Sequence, residues 1–104
     1  MEIIIHTKKQ TLAADFREKV EKRLARLERF KVRIDRIELT VTHEQNPRQG
    51  KQAHRILITT YGAGPLVRAE AASYNDLSAF DDAAEAMELQ LRKIHERSKD
   101  VKRV

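Results

Sequence analysis

Basic side chains recur along residues 19–30, KVEKRLARLERF, at steps of three and four. Such steps place residues on one face of a helix, and the apolar residues of the same segment fall roughly on the opposite face. The basic stripe continues past the segment and consists of Lys19, Lys22, Arg26, Arg29 and Arg33, with Arg17 and Arg23 flanking the apolar side. A row of cations at this spacing suits a phosphate backbone, which arginine contacts in a bidentate manner.

A solvated helix face is the competing interpretation of this stripe. Glu18, Glu21 and Glu28 are interspersed in it, and Glu18 lies four residues before Lys22, the spacing of a helical ion pair. The net charge of +5 is segregated along the chain: residues 1–33 hold ten Lys or Arg against five Asp or Glu, and residues 88–104 hold six against three. Segregation of this kind favours a polyanionic partner.

Residues that could do catalytic or metal chemistry form no recognisable motif. The four histidines, at positions 6, 43, 54 and 95, have no ligand spacing, and the chain has no cysteine. The sequence shows no nucleophile–base pair and no phosphate loop, and acidic residues 81, 82 and 85 are expected early in a helix, where they favour its dipole. We therefore predict no enzyme, no metal site and no cofactor, although distant residues can still converge in a fold.

The elements that must position the basic residues follow from hydrophobic periodicity. Apolar steps predict an amphipathic helix over residues 12–30, capped by Thr11, and a second helix that starts at Asn75 or Asp76. The apolar seam of the second helix is Leu77, Phe80, Ala84, Met87, Leu91 and Ile94. Alternating or β-branched segments predict strands over residues 2–6, 34–44, 53–60 and 66–72, with turns at 45–51 and 61–65.

The order of these elements predicts an α+β fold. A helix between the first two strands suits a right-handed crossover and a parallel pair, whereas short turns suit antiparallel hairpins. One apolar face for each strand and helix gives a two-layer βαβββα sandwich, with a four-stranded mixed sheet and both helices on one face. Side-by-side helices would let their basic surfaces merge, adding Arg92, Lys93 and Arg97 to the stripe.

Length and composition indicate a single cytoplasmic domain. The 104 residues suit one domain, and no apolar run is long enough for a membrane helix or has the flanks of a signal peptide. We expect residues 1–97 to form the domain. Residues 98–104 are expected to fray as a basic tail or to begin a linker.

Two motifs at the expected separation give the chain a family resemblance. FREKVEKRLARLE, residues 16–28, and AFDDAAEAMELQLRK, residues 79–93, resemble the two helices of the ribosome hibernation-promoting factors, also called ribosome-associated inhibitors or sigma-54 modulation proteins. The resemblance covers nearly all of residues 1–97. It implies a fold similar to double-stranded RNA-binding domains, and long members of this family carry a second, dimerising domain that is absent here, so a short form and a fragment both remain open.

The resemblance also implies a function: binding to small-subunit rRNA in the decoding channel and inhibition of translation. Basic family positions are matched by Arg17, Arg23, Arg26, Arg92 and Lys93. Lys22 and Arg29 join this candidate rRNA-binding set from the stripe alone. The alternative is a protein–protein interaction module in which the same basic helices dock an acidic partner, and a small enzyme is the third and weakest hypothesis.

Overall fold

The computed structural model describes residues 2–7, 14–30, 33–43, 54–62 and 66–102, with side chains of the last helix described as far as residue 97. Its elements follow the predicted βαβββα order. They are β1 (Glu2–Thr7), α1 (Phe16–Ala25) with a 3₁₀ segment (Arg26–Phe30), β2 (Arg36–His43), β3 (His54–Tyr61), β4 (Val67–Ser73) and α2 (Asp76–Lys102).

The sheet has the predicted mixed topology. Its strands lie in the order β1-β2-β3-β4, with β1 parallel to β2 and the other two pairs antiparallel. In β2, Ile37, Leu39 and Val41 are buried on the face that contributes to the core, while the alternating residues lie on the outer face. A single core cluster includes residues of both helices, so both pack on the same face of the sheet.

The apolar stripes of the two helices meet above the sheet. Phe16 and Phe80 contact each other edge to face, with ring centroids 6.2 Å apart. Within the seam predicted for α2, Phe80, Ala84, Met87 and Leu91 are buried, and its end members Leu77 and Ile94 are partly buried. This packing fixes the rotation of each helix about its axis and therefore decides where the charged residues point.

The helix ends differ from the sequence expectations. The α-helical part of the first helix starts at Phe16, after Asp15, and Thr11 lies outside the described residues. The second helix is capped as predicted, because the Asn75 side-chain oxygen accepts the Ser78 backbone N–H at 2.8 Å. The backbone of α2 remains helical past Glu96 to Lys102, so fraying does not begin at Glu96, whereas the assignment of residues 98–104 to a tail or the start of a linker stays a prediction. The domain boundary at residue 97 stays a prediction, and the turn at 45–51 lies outside the described residues.

Candidate nucleic-acid interface

The two helices are joined by a charged cluster around Glu88. This glutamate lies on the flank of α2 that faces α1, and its side chain is only 11% exposed. Arg23 Nε lies 3.0 Å from one carboxylate oxygen of Glu88, and Arg29 reaches the other oxygen at 3.5 Å. A carboxylate this far from water needs such partners, so the two arginines stabilise the packing of α1 and its 3₁₀ segment against α2.

Arg23 is therefore different from the exposed arginines of the stripe. Its side chain is 25% exposed, and it also approaches Asp81 at 3.8 Å. Arg29 is more exposed and lies over the ring of Phe30, 4.8 Å from its centroid. Both residues belong to the candidate rRNA-binding set, and a phosphate that contacted them would compete with the carboxylate of Glu88.

Arg26 and Arg92 extend this side of the molecule with exposed charge. Arg26 begins the 3₁₀ segment, between Arg23 and Arg29. Arg92 follows Glu88 by four residues and so lies one turn further along the same flank of α2. Neither arginine has an ion pair within the described ranges of the chain. Arg92 therefore lies on the flank of α2 that faces the first helix, and the merging of the two basic surfaces stays a prediction.

Lys93 lies on the other flank of α2, although it is the next residue after Arg92. With Arg97 it lines a shallow groove beside β4, whose apolar wall includes Leu66 and Ile94. The neighbouring Gln90 side-chain amide donates to the backbone carbonyl of Arg68 in β4 at 2.6 Å. The structure therefore divides the basic residues of α2 between two surfaces instead of bringing them all together.

Arg17 and Lys22 lie away from the α2 side of α1. Arg17 pairs with Glu21 at 2.9 Å and donates to the backbone carbonyl of Ile3 at 3.3 Å, which places it beside β1. Lys22 pairs with Glu18 at 3.4 Å on the solvent side. Exposed pairs at this spacing contribute only about 0.2–0.5 kcal/mol, so either cation can exchange its carboxylate for a phosphate.

The aromatic residues leave little surface for stacking on bases. Phe16, Phe30 and Phe80 are buried in the core, and the Tyr61 ring is covered by the guanidinium of Arg36 at 4.3 Å. Tyr74 is exposed. The arrangement suits recognition of phosphates and of RNA shape, as inferred from the sequence, because readers of single-stranded bases use several exposed rings.

The sequence patterns did not predict one cluster of potential metal-ligand side chains. His43, His54 and Asp76 converge on one another, although their spacing in sequence matches no ligand motif. The signal that could have revealed them is topological, because the two histidines stand directly opposite each other in the antiparallel pair of β2 and β3. The other predicted strand histidine, His6, contacts Glu38 at 3.0 Å, and this hydrogen bond, followed by one from Tyr61, lowers the pKa of Glu38.

Comparison with known proteins agrees with this architecture. Residues 3–99 match the sequence profile of the family described as Sigma 54 modulation protein / S30EA ribosomal protein. Over 98 residues, which are 94% of the chain, the sequence is 37% identical to a ribosome hibernation promotion factor of Mycobacterium tuberculosis. Those residues are 45% of that protein, so the chain spans about half the length of this curated relative.

Two solved structures share the fold of this chain. The crystal structure of the N-terminal domain of Thermus thermophilus Protein Y superposes with a TM-score of 0.75 at 26% identity, covering 90% of this chain and 99% of that one. A ribosomal subunit interface protein from Coxiella burnetii gives a TM-score of 0.76 at 21% identity and shares the fold, covering 90% of this chain and 97% of its own. Within the described part of the chain, no helix is long and apolar enough to cross a membrane.

Proposed function

The chain belongs to the Sigma 54 modulation protein / S30EA ribosomal protein family, and from this premise we propose that it is a ribosome hibernation factor. It binds small-subunit rRNA in the decoding channel through its basic helix faces and inhibits translation in the cytoplasm. Inhibition by occupancy of the channel involves no covalent step and therefore needs no catalytic residue or cofactor. A second copy of the chain, or a separate dimerising domain, remains a prediction from the family resemblance.

The observation that carries this proposal is a set of exposed cations on the helical layer that have no ion pair in the described parts of the chain. The set consists of Arg26, Arg92, Lys93 and Arg97. Cations whose charge is not already neutralised gain most from a phosphate, because binding releases counterions from the RNA without first breaking an internal pair. They occupy both flanks of the C-terminal half of α2 and the adjoining end of the first helix.

Co-sedimentation with purified small ribosomal subunits tests the proposal. We expect the protein to sediment with the subunits, to be displaced by competing tRNA, and to lose affinity steeply as salt rises. The double variant Arg26→Glu/Arg92→Glu should fold normally and lose both ribosome binding and inhibition of in vitro translation. Each reversal replaces an attraction with a repulsion beside a dense lattice of phosphates.

A matched control comes from the outer face of the sheet. Arg68 is an exposed residue of β4, and its neighbours Val67 and Ala69 are buried on the opposite face. Arg68→Glu makes the same change in net charge as Arg92→Glu, yet it should leave inhibition at the parental concentration. Equal losses in the two single variants would mean that net charge, not a defined surface, drives binding. Retention of inhibition by a folded double variant would overturn the assigned surface, and capture of an acidic protein without ribosome binding would favour the docking-module alternative.

A further inference from the structure

Three potential ligand atoms from three different elements meet at one end of the sheet. His43 ends β2, His54 begins β3 and Asp76 is the first residue of α2. His43 Nε2 and His54 Nδ1 each lie 2.9 Å from Asp76 Oδ1, and the two nitrogens lie 2.9 Å from each other. In the described ranges of the chain, this is the only group of three or more such side chains with the spacing of a metal site.

Hydrogen bonding alone does not satisfy this triangle. Each imidazole nitrogen offers either one proton or one lone pair, and an ionised carboxylate oxygen offers only lone pairs. If both nitrogens are protonated, their mutual contact is between two donors. If only one nitrogen is protonated, the lone pair of the other faces the carboxylate oxygen. If neither is protonated, all three contacts join lone pairs.

A cation just outside the plane of the three atoms could accept a lone pair from each of them at once. We propose that His43, His54 and Asp76 bind a divalent transition-metal ion, with Zn²⁺ as the representative. An ion about 2.0–2.1 Å from each atom would stand about 1.2 Å outside their plane, with ligand–metal–ligand angles of about 90°. Two imidazoles and a carboxylate on one face of an ion leave its remaining positions to water.

The surroundings of the triangle suit such a site. The side chains of His43, His54 and Asp76 are 29%, 27% and 16% exposed, which leaves them open to an ion and its water but largely fixed by packing. Asp76 is further held by the capping bond of Asn75 to the first turn of α2. A bound ion would therefore tie the adjoining ends of β2 and β3 to the start of α2.

The site is separate from the basic surface. Asp76 and Arg92 are sixteen residues apart on one helix, which corresponds to about 24 Å at a rise of 1.5 Å per residue. Binding of an ion can thus be tested without ribosomes. His6 provides a matched control, because it is an exposed strand histidine with a carboxylate partner, Glu38, but no second histidine.

The experiment is a Zn²⁺ titration of the full chain by isothermal calorimetry, beside the variants His43→Gln, His54→Gln, Asp76→Asn and His6→Gln. We expect one ion per chain, a loss of affinity of about 100-fold or more in each triangle variant, and no change in His6→Gln. At free Zn²⁺ about 100 times the dissociation constant, the melting temperature of the parent should rise by about 10–20 °C.

A second measurement uses the unmodified protein, so the test does not depend on how the variants fold. Paramagnetic Co²⁺ added at one equivalent should broaden the ring-proton NMR signals of His43 and His54 and spare those of His6. Absence of stoichiometric Zn²⁺ binding, retention of full affinity in folded triangle variants, or Co²⁺ broadening confined to other histidines would each overturn the proposal.

Discussion

On the flank of α2 that faces α1, Arg23 and Arg29 converge on a nearly buried glutamate, Glu88. On the flank that faces β4, Lys93 and Arg97 border an open groove and have no ion pair in the described ranges of the chain. The same residue types thus hold two helices together on one side and remain available to a partner on the other. Burial of the opposing carboxylate, more than the number of cations, makes the difference.

The first helix repeats this contrast over a single turn. Arg23 and Arg26 are three residues apart, and the family resemblance predicts a basic position at both. Arg23 lies against Glu88, whereas Arg26 is exposed and has no ion pair in the described ranges. Substitutions at the two positions should therefore separate stability from ribosome binding.

The largest expected effect tests the rotation of α2, on which the contrast between its flanks depends. Leu91 is fully buried in the seam that faces the sheet. Leu91→Ala should lower the free energy of unfolding by about 2–5 kcal/mol, because it leaves a cavity in a packed core. Leu89→Ala, at a position that is 50% exposed, should change it by less than about 0.5 kcal/mol. Urea denaturation measures both, and equal effects would mean that the helix is rotated differently.

The next effect separates the two flanks directly. Arg23→Glu should lower the free energy of unfolding by about 2–3 kcal/mol, since it removes a partner of Glu88 and places a third carboxylate near Glu88 and Asp81. Lys93→Glu should change it by less than about 0.5 kcal/mol. A thermal melt of each variant checks this. If Arg23→Glu melts like the parent, the cluster around Glu88 is not structural.

Most of the fold was predictable because its signals are local and repeated. Steps of three and four fixed both helices, alternation fixed β2, and the crossover rule gave the parallel pair. Helix ends were harder. Residues 98–102 carry no apolar seam, yet nothing in them terminates a helix, and a basic composition does not by itself distinguish a tail from further turns.

The site was less predictable because it depends on contacts between distant residues. The family resemblance predicted both Arg92 and Lys93 as rRNA-binding residues. Adjacent residues on a helix lie about 100° apart, however, and the packing of α2 places these two on opposite flanks. Glu88 was not singled out, since only the tertiary structure shows that it is buried between two arginines. The triangle of His43, His54 and Asp76 arises from strand register, which histidine spacing does not reveal.

A smaller expected effect is on the salt dependence of ribosome binding, which should show whether Lys93 and Arg97 contact phosphates. Lys93→Gln and Arg97→Gln should leave the melting temperature unchanged. If each residue contacts a phosphate, each variant should reduce the slope of log affinity against log salt by about 0.7–0.9. Co-sedimentation with small subunits across a salt series measures the slope. Arg68→Gln is the control and should keep the parental slope, and an unchanged slope in the two flank variants would restrict the RNA contacts to the α1 side.

The smallest expected effect is at Lys22. Its exposed ion pair with Glu18 gives the strongest support to the interpretation of the basic stripe as a solvated helix face. The two side chains are 77% and 69% exposed and 3.4 Å apart. Lys22→Gln and Glu18→Gln should each change the free energy of unfolding by less than about 0.5 kcal/mol, because water and salt screen the pair.

Ribosome binding should respond to these two substitutions with opposite signs. Lys22→Gln removes a cation that tracks the phosphates and should weaken binding, by less than about tenfold. Glu18→Gln removes the carboxylate that competes with the phosphate for Lys22 and should strengthen binding at low salt. A solvated face predicts that neither change matters, and a purely net-charge effect predicts that Glu70→Gln, which removes an exposed carboxylate paired with Arg55 on the sheet, acts as Glu18→Gln does. Co-sedimentation of all three variants at one low salt concentration therefore decides whether the stripe at Lys22 contacts RNA.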